Sequence, residues 1–185
     1  MKTNKILFIT LLVITLVSCK NDGKSESTEG SVSKIEEVKS NQLKITINAL
    51  VLKDDSFQVY YKETDDKTPF DEKKSKYAVF KGNSSPQDIV FALPEDELPS
   101  YFRFDFGINK EQSEIVINNI KIEYFGKSFI IQGNELANFI SFNIGTLNFN
   151  KEKGSLTPFV PKDGIYDPMS FTGITLHDKI QTLIK

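Results

Sequence analysis

Residues 101–125 read YFRFDFGINKEQSEIVINNIKIEYF. Phe102, Phe104 and Phe106 alternate with Tyr101, Arg103 and Asp105, the period of two that marks a strand with one buried face. A polar turn covers residues 109–113, and a second apolar run extends from Ile115 to Phe125. That run changes parity midway. Ile115 and Ile117 share one phase, and Ile120, Ile122 and Tyr124 share the other. A slip of one residue moves every later side chain to the opposite face, so a bulge near Asn118-Asn119 is expected.

The same text continues on either side. Leu43, Ile45, Ile47, Ala49 and Val51 fall on one face of a strand, and Phe57, Val59 and Tyr61 on the next. Short strands follow over residues 77–80 and 89–91, ended by Gly82 and Pro94. Residues 63–76 and 95–99 read as loops. Phe129 and Ile131 make a further strand, and Phe142, Leu147 and Phe149 a ragged one. Gly133-Asn134 suggests a helix start, with Asn134 as cap and Leu136, Phe139 and Ile140 facing inward. Residues 151–168, with Pro158, Pro161 and Pro168, read as loop. From Ile174 the spacing of Leu176, Ile180, Leu183 and Ile184 is helical. Seven or more short strands without alternating helices predict an all-β chain. The expected fold is an antiparallel, jelly-roll-like β-sandwich over residues 41–185, with a short C-terminal helix.

The first 40 residues differ in kind. Lys2 and Lys5 precede an apolar run from Ile6 to Val17, too short to span a bilayer and of signal-peptide length. The run ends Leu16-Val17-Ser18-Cys19, which resembles the lipobox of bacterial lipoproteins. The resemblance implies removal of residues 1–18, acylation of Cys19 and stable membrane attachment. Residues 20–40, rich in Lys, Glu, Ser, Asn and Gly, read as a disordered tether. Lys20-Asn21-Asp22 resembles the charged export signals of Bacteroidota surface lipoproteins, without their paired acids. The expected location is the cell envelope, lipid-anchored to the outer membrane.

Composition removes several chemistries. Cys19 is the one cysteine, so acylation leaves no thiolate and no disulfide. A single histidine, His177 beside Asp178, rules out a multi-histidine metal site. The 23 basic residues less Lys2 and Lys5 leave 21 against 25 acidic ones, a net charge of about −4 that argues against nucleic acid. Asp54-Asp55 and Asp163-Gly164 are the hints of a structural calcium ion, though neither has the spacing of a known loop.

Phe102-Arg103-Phe104-Asp105-Phe106-Gly107, Ile115 to Ile122 and the aromatic strand Phe57-Gln58-Val59-Tyr60-Tyr61 resemble galactose-binding and carbohydrate-binding-module domains. No catalytic motif comes with that resemblance, so it implies a fold more firmly than a function; the expected role is a non-catalytic binding module. Arg103, the sole arginine, and Asp105 share a strand face and are expected to pair. Tyr101 lies in phase with both, and Tyr60 opposite in phase to the core residues around it. Tyr60, Tyr101, Arg103 and Asp105 are thus the candidate ligand residues, with glycan the expected ligand. A protein partner in the envelope is the alternative. A glycoside-active hydrolase ranks third, because most acids lie in turns where solvation is their ordinary state.

Overall fold

The computed structural model describes residues 40–95, 97–162 and 164–185. The leader, Cys19 and the tether up to residue 39 lie outside them, as do Asp96 and Asp163. Eleven strands precede one α-helix: β1 (Lys44–Leu50), β2 (Asp55–Lys62), β3 (Ser75–Phe80), β4 (Gln87–Ala92), β5 (Tyr101–Asp105), β6 (Ile115–Tyr124), β7 (Lys127–Gln132), β8 (Ile140–Phe142), β9 (Leu147–Asn150), β10 (Ser155–Pro158), β11 (Met169–Thr172) and α1 (Ile174–Leu183). They form two antiparallel sheets. One has the order β4-β1-β6-β10-β9, with β7 also paired to β6; the other runs β3-β2-β5-β11-β8. The expected all-β sandwich with its terminal helix is what the chain adopts.

The alternation explains the layers. Ile45, Ile47 and Ala49 of β1, Phe57, Val59 and Tyr61 of β2, and Phe102 and Phe104 of β5 are all buried in one shared core. Phe104 and Phe106 continue the ring ladder, with centroids 6.4 Å apart. The parity change in β6 is a bulge. Asn48 pairs with Asn119 and Ala49 with Ile117, leaving Asn118 as the extra residue. It keeps Ile115, Ile117, Ile120 and Ile122 all buried.

Two segments differ from expectation. The turn at Gly133 is a 3-10 helix over Gly133–Asn138, whose N-cap is Gln132, not Asn134, and makes no side-chain cap bond. Leu136 is buried as expected, but Ile140 belongs to β8. The proline-rich stretch is not all loop. Ser155 and Leu156 pair with Val116 and Ile115, and β10 ends at Pro158, where a missing N–H breaks nothing further.

Strand direction defines two ends. Lys44 lies opposite Glu123, and Leu50 opposite Val116. The chain enters beside Tyr124, where Ser40 O accepts a bond from Phe125 N at 3.1 Å. Helix α1 caps this entry end, with Leu176, Ile180 and Leu183 buried and Gln181 Nε2 donating to Ser100 Oγ. The far end carries the turns at residues 51–54, 107–114 and 143–146.

Candidate functional site

Because Phe57, Val59 and Tyr61 turn inward, Gln58, Tyr60 and Lys62 turn outward, and register then builds the face. Gln58 lies opposite Asp105, Tyr60 opposite Arg103 and Lys62 opposite Tyr101. On the outer neighbours, Tyr77 lies opposite Gln58, Met169 opposite Asp105 and Phe171 opposite Arg103. Two cross-strand rows result, Tyr77–Gln58–Asp105–Met169 and Ser75–Tyr60–Arg103–Phe171. All four candidate residues therefore share one sheet face.

The central group is the Arg103 guanidinium. Its Nε and Nη2 donate to the two oxygens of Asp105, both at 2.7 Å, and Nη2 also donates to Asp167 Oδ1 at 3.0 Å. Its carbon sits 5.0 Å from the Tyr60 ring centroid, within cation–π range. Burial pushes the Asp105 carboxyl up to about 6; Arg103 opposes the rise, and the Asp167 and Glu72 charges add to it. The Asp105 side chain is only 15% exposed, which agrees with that direction.

A second centre is Glu72, on the loop between β2 and β3. It accepts bonds from Tyr60 OH and Tyr77 OH, both at 2.6 Å, and from Gln58 Nε2 at 3.0 Å. The hydroxyl of Tyr60, then that of Tyr77, holds the Glu72 carboxyl below the usual range. Burial and the bond to Glu72 together raise the Tyr60 phenol.

The same loop folds back over the face. Phe70 packs 6.3 Å from Tyr60 and 6.3 Å from Phe171. Lys62 holds the loop in this position. Its ammonium donates to Asp66 O at 2.6 Å, Asp66 Oδ1 at 3.1 Å and Thr68 O at 3.2 Å, and lies 5.1 Å from the Phe70 centroid. Hydrogen bonds from the Thr68 hydroxyl and from Lys62 draw the Asp66 carboxyl down to about 2. A hollow of about 340 Å³ opens beneath the loop, lined by Lys62, Thr64, Asp66, Phe70 and Lys74 among others.

Of the four candidates, Tyr60, Arg103 and Asp105 are in mutual contact or one bond apart. Tyr101 shares the face but stacks on His177, with ring centroids 4.5 Å apart and planes 25° apart. Its ring is thereby covered on one side, and His177 is a packed residue of α1. Sequence reasoning missed Glu72, Asp167 and Phe70, which lie in loops where no periodicity marks them. Tyr77 joins the face through the pairing of β3 with β2, and Phe171 through β11, a strand the sequence did not announce.

The turn acids meet internal demands. Asp54 accepts from Lys81 Nζ at 2.6 Å and Gly82 N at 2.9 Å. Buried Asp55 accepts from Ser56, Ile108 and Asn109 N–H groups at 2.8, 2.8 and 3.1 Å, and from Gln112 Nε2 at 2.9 Å. A Cβ on Gly107, at φ +111°, would stand 2.5 Å from Asp55 Oδ2, so the turn after β5 needs glycine. Among the described residues, no three His, Cys, Asp or Glu side chains converge as a metal site. Comparison of the chain with protein-family models, curated proteins and solved structures finds no match in any of the three.

Proposed function

We propose that the chain is a lipid-anchored module of the cell envelope, held at the outer membrane through Cys19, that binds glycan on the outer face of β2, β5 and β11. The observation that carries this reading is the composition of one face. Tyr60, Tyr77, Phe70 and Phe171 offer ring surface beside the planar hydrogen-bonding groups of Arg103, Asp105, Glu72 and Gln58. Saccharides present both C–H faces and hydroxyls, so aromatic surface combined with fixed planar donors and acceptors suits them. The bonds within the cluster hold these groups in place before a ligand arrives, which lowers the entropy lost on binding. Asp105 serves as part of this clasp, with Arg103 bonded to both its oxygens.

The test is a glycan-array and polysaccharide pull-down screen, with and without calcium, of wild type and of Tyr60→Ala and Arg103→Ala variants. Saturable binding to one saccharide class, weakened by either substitution, is the expected result. Binding that both variants retain unchanged would remove this face from the reading.

One observation favours a second reading, an envelope protein as partner. At the far end, Val79 and Ile108 are 83% and 73% exposed and border a hollow of about 680 Å³ that also includes Phe80 and Ser56. Isolated exposed apolar residues are ordinary, but paired ones at a hollow fit protein docking. Co-purification of the lipidated chain with a partner that Val79→Asp abolishes would favour it.

A further inference from the structure

The tip of the β6–β7 hairpin holds a residue that neither the backbone nor the core explains. Tyr124 pairs with Lys127, so Phe125 and Gly126 form a two-residue loop, at φ +49° and +78°. Two positive φ values mark the primed turn that matches strand twist, and its usual first residue is Asn, Asp or Gly. Among the described residues, Phe125 is the only non-glycine with positive φ. The left-handed region is unfavourable for a bulky L side chain. The residue is also 51% exposed, and its aromatic neighbour is Tyr124, at 6.1 Å. The turn holds this strain whatever surrounds the ring, and a residue kept in such a conformation points to a role beyond folding.

Position indicates which role. Phe125 N donates to Ser40 O, so the tip stands at the end where the described chain begins. From Cys19 to Ser40 the chain reaches at most roughly 70 Å, and any shorter separation is allowed. Beside the tip, a groove of about 520 Å³ separates β7 from α1, lined by Lys127, Phe129 and Lys179, with Asp178 the one acid. Aromatic rings flanked by lysines are the chemistry of the headgroup–acyl boundary.

We propose that the Tyr124-Phe125-Gly126-Lys127 tip dips into the bilayer interface, so that the domain stands on its entry end. This rests on the anchoring reading, since the acyl chains at Cys19 supply the affinity and the tip supplies orientation. One ring alone binds a membrane weakly, but beside a fixed anchor it acts at high effective concentration.

The chain has no tryptophan, so Phe125→Trp makes a single reporter. The lipid-processed full chain would be reconstituted into phosphatidylethanolamine/phosphatidylglycerol vesicles containing brominated lipid. Ile144→Trp, in an 85% exposed turn at the far end, is the reference. We expect blue-shifted emission from position 125 and bromine quenching about threefold above that at position 144, as befits an interfacial ring. Should Phe125→Trp fail to fold, Tyr124→Trp beside an intact Phe125 reads the same depth. Acylated protein with equal quenching at both positions overturns the proposal and leaves the anchor standing. Absence of an acyl mass on Cys19 overturns the anchor and the proposal together. A concentration-dependent shift in lipid-free detergent overturns it in favour of a second copy of the chain.

Discussion

The Arg103–Asp105 clasp can be separated into its parts by a double-mutant cycle read at two pH values. Arg103→Met keeps an apolar stem of similar reach but removes the cation, including the guanidinium over the Tyr60 ring. It leaves Asp105, 15% exposed, facing Asp167 and Glu72 alone. Breaking a buried pair in this way costs about 3–5 kcal/mol, and partial exposure here lowers the expectation to about 2–4 kcal/mol at pH 7.5. Asp105→Asn acts differently. A carboxyl that titrates near 6 instead of near 4 costs about 3 kcal/mol to ionise in the folded state at neutral pH. Because the folded pKa is raised, stability is greatest below the unfolded pKa and falls as pH climbs from about 4 through about 6. Asp105→Asn removes that fall, and Arg103 keeps Asp167 as a partner at 3.0 Å. The single Asn variant should therefore be near neutral at pH 7.5. The coupling energy should be about 2–3 kcal/mol there and below about 1 kcal/mol at pH 5, where Asp105 carries its proton. Urea unfolding followed by far-UV circular dichroism measures all four corners. Equal coupling at the two pH values, or coupling below about 0.5 kcal/mol at pH 7.5, would refute a buried, charge-dependent clasp.

Three further outcomes are expected. Asp55→Ala orphans the N–H groups of Ser56, Ile108 and Asn109 and should cost about 3–5 kcal/mol, whereas Asp55→Asn should cost about 1–2 kcal/mol. Gln112 Oε1 has no partner among the described residues, so an amide flip lets it accept from the new Asn; equal losses in urea melts would contradict this account. Lys62→Met empties the ammonium's place between Asp66 and Thr68 and should release Phe70, giving faster proteolysis within residues 63–74 and about 1–2 kcal/mol lower stability. Unchanged cleavage there would show that the loop holds without Lys62. Phe125→Asn relieves a left-handed phenylalanine worth about 1–2 kcal/mol and should leave thermal stability equal or higher in detergent. A drop of several degrees would mean that the ring packs more than its exposure indicates.

What could be read from the sequence, and what could not, divides along physical lines. Phe102 to Phe106, Leu43 to Val51 and Phe57 to Tyr61 were legible because one residue in two must be buried, and only one phase buries the apolar set. The bulge at Asn118 was legible for the same reason, since a regular strand would have exposed half of its isoleucines. Phase alone put Tyr101, Arg103 and Asp105 on one face of their strand and Tyr60 outward on another; that they share a sheet face comes from the pairing of β2 with β5. Pairing across strands was not legible. β10 and β11 are four residues each and place Ser155 and Ser170 in buried positions, so no hydrophobic pattern announces them. Glu72 and Asp167 reach the face from loops, where long-range hydrogen bonding chooses the residue. The turn type at Phe125-Gly126 was hidden because its first residue is the wrong chemistry for its backbone, so Phe125 was read as the last residue of a strand.

That disagreement at Phe125 bears on how the proposed glycan face would be presented. Local rules agree with the fold along β1, β2, β5 and β6, and they conflict with it at this tip. Conflicts of this kind concentrate where a residue serves something other than folding. If the tip meets the membrane, β1 and β6 stand along the membrane normal, because Lys44 and Tyr124 share the entry end and Leu50 and Ile115 the far end. The outer face of β2, β5 and β11 then points sideways, parallel to the bilayer plane. Within it, Tyr101 lies nearest the entry end, and Asp105 about four residues farther up the strand, roughly 13 Å by strand rise. A ligand reaching Arg103 would thus be a chain that extends away from the membrane or runs along its surface, and one buried in the bilayer could not reach it. Long polysaccharide should accordingly bind the vesicle-bound protein as well as it binds the detergent-solubilised form. Short glycolipid headgroups flush with the bilayer should bind only the solubilised form. Comparing the two ligands on reconstituted wild type and Phe125→Asn separates a face oriented by the tip from one that tumbles freely on its anchor. In the second case, the variant and wild type would show the same preference.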